Sequence, residues 1–195
     1  MKIVRIFASE DLENKGGLLA IRYKKGEKDA YERNFDFWFD ATEVIKYLQA
    51  NEWYLTDDYF KKQNKSIDEL QEQIEKEAND LHDFFLDLEN SNFEGNISLL
   101  EHIFKPLNNR ESYGTELQKS KSPDDKRRPL IRLYAIRIHK NLFIVTGGAI
   151  KLTGQMGEHD DTDKELEKLE IVRDFLKANG LTTANDLIYY YENNE

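Results

Sequence analysis

The residue types that could do chemistry concentrate in one basic island. Between positions 103 and 153 the chain carries 11 Lys or Arg against four acids, a local charge of +7 in a 195-residue protein of net charge −10. Within that island Arg132, Arg137 and Lys151 are candidates to clamp phosphate. His139 is the candidate proton carrier, because imidazole titrates near neutrality. Tyr134 suits stacking on a base, and Arg127, Arg128 and Lys140 are candidate substrate contacts through charge. Such a set suits contact with an anion or RNA; metal-independent RNA cleavage, which the family resemblance given below implies, would ask more of it. A 2′-hydroxyl attacks the adjacent phosphorus, so one group must take its proton, others must neutralise the phosphorane, and another must protonate the departing 5′-oxygen. General acid–base help contributes about 10²–10⁴-fold, and fixed cations at developing negative charge are often the larger effect. No metal or cofactor is implied. The four His (82, 102, 139 and 159) lack ligand spacing, since none lies within five residues of another, and there is no Cys. Gly147-Gly148 is not a phosphate loop, because no Gly-x-x-x-x-Gly-Lys-Ser/Thr follows.

Each candidate also has a structural reading. Arg132 and Arg137 suit ion pairs with helix acids. Tyr134 suits a core position with its hydroxyl at the rim, and a lone His in a tight turn is commonly exposed and idle. Strand alternation puts Arg132, Tyr134, Ile136 and Ile138 on one face and Leu133, Ala135 and Arg137 on the other. Lys151 has the strongest functional pattern, because its flanks Ile150 and Leu152 point away from it in a strand. The island as a whole suits RNA contact, docking of the protein's own acidic helices, or a solvated loop.

The elements that must position these side chains follow from pattern. Residues 3–8 and 18–25 read as strands separated by the turn signal Asn14-Lys15-Gly16-Gly17. Residues 31–39 form an aromatic cluster of ambiguous period. Asp40-Ala41-Thr42-Glu43, Ser66-Ile67-Asp68-Glu69 and Thr162-Asp163-Lys164-Glu165 are capping-box patterns, opening helices to about 51, 90 and 179. A short helix fits 97–104, stopped by Pro106. The polar stretch 107–129 reads as a loop long enough to be functional. Residues 130–138 and 142–146 read as a hairpin through His139-Lys140-Asn141, with Asn141 able to take positive φ. A last helix fits 184–192. The order predicts an α+β domain over 1–195.

Composition bounds the class. Charged residues make up 34% of the chain, against about 25% on average, and aromatics 12%, which argues against long disorder. No run approaches about 18 apolar residues, and the first residues hold too short an apolar stretch for a signal peptide. The expected address is the cytoplasm, with no membrane partner and no direct DNA contact.

Phe104-Lys105-Pro106-Leu107 precedes the polar loop. The strand Ile131-Arg132-Leu133-Tyr134-Ala135-Ile136-Arg137 comes next, then Phe143-Ile144-Val145-Thr146 running into Gly147-Gly148-Ala149-Ile150-Lys151-Leu152-Thr153 and a charged helix. This sequence of elements resembles the RelE/HigB group of bacterial toxins, over about 97–180 and more loosely over 18–50. Residues 1–16 and 52–95 then stand as additions. The resemblance implies a small antiparallel sheet with helices packed on one face. It also implies endoribonuclease action on mRNA, mostly on the ribosome, and silencing by a protein antitoxin. The alternatives are, in order, a non-enzymatic protein- or RNA-binding module on the same scaffold and an unrelated α+β protein.

Overall fold

The structure is a computed structural model that describes residues 1–9, 11–12, 16–56, 60–61, 64–91, 99–107, 116–122, 129–153 and 160–194. It is α+β. The strands are β1 (Lys2–Ala8), β2 (Gly17–Arg22), β3 (Lys105–Pro106), β4 (Gln118–Ser122), β5 (Ile131–His139) and β6 (Leu142–Ile150), in the spatial order β1-β2-β6-β5-β4-β3. Helices α1 (Ala30–Phe39), α2 (Ala41–Ala50), α3 (Ile67–Asn90), α4 (Leu99–Ile103), α5 (Asp160–Ala178) and α6 (Ala184–Asn194) pack against it, and a 3₁₀ turn (Glu52–Thr56) follows α2.

Local chemistry sets the helix starts. The Asp29 carboxylate accepts from the backbone N–H of Tyr31 (2.9 Å) and Glu32 (3.0 Å), opening α1. The aromatic cluster is therefore helical: Tyr31, Phe35 and Trp38 fall on its buried face at i, i+4, i+7. Asp40 caps α2 through Glu43 N–H at 3.1 Å. Ser66 and Glu69 form the reciprocal box at the head of α3, with bonds of 3.2 and 2.7 Å. The Thr162 pattern does not mark a helix start. Helix α5 begins at Asp160, and Thr162 is buried inside it.

Two departures from the expected arrangement matter for the site. The sheet is mixed rather than purely antiparallel, because β2 runs parallel to β6, from Gly17 opposite Leu142 to Ala20 opposite Val145. Helices also cover both faces rather than one. Leu18, Ala20, Leu133, Ala135, Phe143 and Val145 face a core shared with α1–α4, whereas Leu19, Ile21, Tyr134, Ile136, Leu142 and Ile144 face a second core closed by α5 and α6. The physical reason is the apolar run of β2, β5 and β6. Strands buried on both sides read as near-continuous hydrophobic runs and need cover on both. The segment 1–16, expected as an addition, supplies the edge strand β1, paired antiparallel to β2. The polar stretch 107–129, expected as a loop, contains β4, whose Gln118, Ser120 and Ser122 are buried against β5.

Candidate functional site

The candidate residues sit on the β5–β6 ribbon, and one irregularity decides which way they face. Tyr134 pairs with Gly147 and Ala135 with Val145, leaving Thr146 as an extra residue in β6. Such a bulge reverses the alternation of everything beyond it. Phe143 and Val145 lie in the α1–α4 core before it, and Ile150 and Leu152 lie in that core after it. Ala149 accordingly faces the α5 side. Two bonds hold the bulge: Thr146 Oγ1 donates to the Tyr134 carbonyl (3.2 Å), and Tyr23 Oη donates to the Thr146 carbonyl (2.6 Å).

Gly147 and Gly148 flank this kink because helices press on both faces. A Cβ at Gly147 would lie 1.7 Å from Glu165 Oε2 of α5, and one at Gly148 would lie 2.8 Å from Asn34 Oδ1 of α1. Glu165 is buried at 4% exposure. Its Oε1 is bonded by Lys168, and its Oε2 is buried with no hydrogen-bond partner. Burial raises its carboxyl above the ordinary range, against the opposing pull of Lys168 and Arg33.

The structure brings some of the expected residues together and separates the rest. Arg132 pairs with Ala149 and shares the α5-side face with Tyr134. Lys151 lies two residues beyond Ala149 on the same side, its N–H bonded to the Leu130 carbonyl at 2.6 Å so that the ladder runs on past β6. Arg132 and Lys151 are therefore diagonal neighbours across the ribbon, Arg132 buried at 7% exposure and Lys151 half-buried. Glu77 of α3 braces the start of this ribbon, accepting from Leu130 N–H (2.7 Å) and Ile131 N–H (3.1 Å). Burial raises the Glu77 carboxyl, while its backbone bonds and the charge of Arg132 oppose that shift. Tyr134 is in the core at 1% exposure, and burial raises its phenol well above the usual value.

Arg137 lies on the opposite face, where its Nε (2.9 Å) and Nη2 (2.5 Å) both donate to Glu101 Oε1 of α4. The ion-pair reading of Arg137 thus describes what it does. His139 and Lys140 are exposed at the hairpin turn, roughly 23 Å along β5 from Arg132 at about 3.3 Å per residue. Arg127 and Arg128 lie outside the described residues. The four catalytic candidates therefore do not meet at one place: two stand together, one is held on the other face, and one is at the far end. Among the described residues no group of three or more His, Cys, Asp or Glu is arranged to hold a metal, and no helix is long and apolar enough to cross a membrane.

Sequence reasoning missed Glu165 as part of this site, though a signal was present. Thr162, Glu165, Leu169, Val172 and Leu176 follow one helical stripe, so a carboxylate occupies a core position. It also missed the bulge. Gly147-Gly148 permits one, but only the helices on either side require it.

No family model matches the chain, and neither a curated protein nor a solved structure is similar to it.

Proposed function

We propose that the protein contacts RNA through the Arg132–Lys151 corner of the β5–β6 ribbon, in the manner of a RelE/HigB-type toxin scaffold. A protein antitoxin and a cytoplasmic setting belong to the same reading. The observation that carries it is the diagonal placement of these two cations on one face. Lys151 is the more accessible of the two, and the charge of Arg132 behind it is poorly screened because it is buried. Together they place two cations side by side at the carboxyl end of β6, with the Glu77 carboxyl within electrostatic reach of Arg132; adjacent cations are the chemistry that grips a sugar-phosphate link.

The geometry favours binding over cleavage. Proton transfer needs a group of suitable pKa within reach of the reacting atoms. His139 is at the other end of the ribbon, and Tyr134 is buried with its proton held firmly. The test is fluorescence anisotropy of a labelled single-stranded RNA, with gel analysis of the same RNA after incubation. Lys151→Ala is expected to weaken binding and to lower the salt-dependence slope by about 0.7, with the RNA intact throughout. Unchanged affinity in Lys151→Ala sinks the contact. RNA cut by the wild type but not by Lys151→Ala replaces the binding module with a nuclease at the same corner.

A further inference from the structure

A second cationic feature lies at the carboxyl end of β2. A pocket of about 410 Å³ is lined by Met1, Lys2, Arg22, Tyr23, Lys24 and Lys25, together with Gly26. That volume falls within the usual range of small-molecule sites, about 300–1,000 Å³. Four cations line it and no acid does; the acid in closest contact with that set is Glu27, whose carboxylate is 3.5 Å from Lys24.

Lys24 is thus paired, and two independent details bear on the remaining charge at Lys2 and Arg22. Lys2 and Arg22 are direct partners in the antiparallel β1–β2 ladder. Directly opposed like charges on one face of a sheet destabilise it, so the fold carries a local cost that an anion between them would remove. In addition, Arg22 Nε is buried without a hydrogen-bond partner, so the fold supplies no acceptor to the guanidinium through that nitrogen. The pocket wall beside it is fixed. Tyr23 is tethered through its hydroxyl to the Thr146 carbonyl at 2.6 Å, and the Arg33 guanidinium lies 5.6 Å from its ring centre.

We propose that this pocket binds a phosphate monoester, with Arg22 as the principal ligand and Lys2, Lys24 and Lys25 neutralising the second charge. Arg presents paired donors that match two phosphate oxygens, and lysines add point charge. A free phosphate ion and the phosphate of a nucleotide share this chemistry, and the volume and the Tyr23 wall leave room for the nucleoside of the second. The site does not depend on the RNA reading. It uses different strands and the opposite side of the β2–β6 seam from Lys151.

Calorimetric titration of the full chain at low salt with AMP, inorganic phosphate and adenosine tests it. AMP is expected to bind and adenosine not to. Phosphate equal to AMP assigns the site to the ion, and AMP tighter than phosphate assigns it to a nucleotide. Arg22→Gln is expected to weaken AMP at least tenfold, and yet to melt about 1–3 °C higher than the wild type without ligand, because one of two opposed charges is gone. Lys2→Gln, an exposed position, repeats both effects should Arg22→Gln fold poorly. Lys140→Ala, at the far end of the sheet, leaves AMP binding unchanged. The proposal is overturned by the absence of AMP and phosphate binding at millimolar concentration. It is equally overturned if AMP binds Arg22→Gln and Lys2→Gln as it binds the wild type.

Discussion

At the hairpin end of the sheet, Asn141 sits at φ 59° with 1% exposure and is bonded on several sides. Its carbonyl accepts from Gly17 N–H at 2.9 Å, and its Oδ1 accepts from Leu100 N–H at 3.1 Å at the head of α4. Gly16 packs so close that a Cβ would lie 2.2 Å from the Asn141 carbonyl oxygen, and Arg137 is clamped by Glu101 beside it. At the other end, where β2 and β6 finish, Arg22, Lys24 and Lys25 line one pocket while Arg132 and Lys151 sit apart on the β5–β6 ribbon, and Arg22 Nε and Glu165 Oε2 are buried without hydrogen-bond partners. The first end ties its backbone and the Arg137 charge to its own chain, while the Asn141 amide nitrogen is buried without a partner. The second holds a buried carboxylate oxygen without a donor and sets Lys2 directly opposite Arg22 across the β1–β2 ladder. Directly opposed like charges cost a sheet stability, so the second end is where anion chemistry belongs.

The sharpest way to break this contrast is Gly16→Ala. The residue sits at φ +88° against a backbone oxygen that cannot swing away. A loss of about 3 kcal/mol is expected from strain and overpacking, read as a lower urea midpoint. A wild-type midpoint would show that the hairpin end is not locked as described. Arg137→Ala comes next. It leaves Glu101, with 18% of its side chain exposed, without its guanidinium, and about 1–3 kcal/mol of stability should go. RNA affinity should stay at the wild-type value; a parallel fall in affinity would move the contact to the wrong face.

Glu165→Gln probes the open end through pH. Burial holds the Glu165 carboxyl above its unfolded value, so the folded state binds that proton more tightly than the unfolded chain does. The stability this confers is present below the ordinary carboxylate range and is lost as pH rises through the raised value. The melting temperature of Glu165→Gln minus that of the wild type should therefore grow between pH 4 and pH 8. A constant or shrinking difference contradicts a carboxyl whose burial outweighs the pull of Lys168 and Arg33. The smallest effects belong to His139→Ala and Lys140→Ala, exposed at the turn. Each should change stability by no more than about 0.5 kcal/mol and leave RNA binding alone. A loss of RNA affinity in either would place the contact at the hairpin end.

Much of the fold is legible in the residues because its signals are local. The Asp40 and Ser66 caps, the stripe of α3, the β5–β6 hairpin and the positive φ of Asn141 each arise from groups within a few positions of one another. The basic island and the alternation that separates Arg132 from Arg137 were equally readable. The polar strand β4 was not, because Gln118, Ser120 and Ser122 lack the apolar alternation that marks a strand and are ordered by pairing with β5. Nor was the pocket legible. Lys2 and Arg22 lie twenty positions apart and become opposed charges only when β1 folds back on β2 in this register.

The amino-acid sequence by itself determined most of the segments that become helix or strand, β4 excepted, and where positive charge is stored, since propensity, capping and charge are properties of neighbours along the chain. Tertiary structure alone decided that the sheet is mixed and covered on both faces, that the bulge at Thr146 turns Lys151 to the side of Arg132, and that Arg137 is spent on Glu101. Those outcomes depend on contacts between residues far apart in the chain, where a single inserted residue reverses a face and a helix packed on that face determines which groups a charge meets.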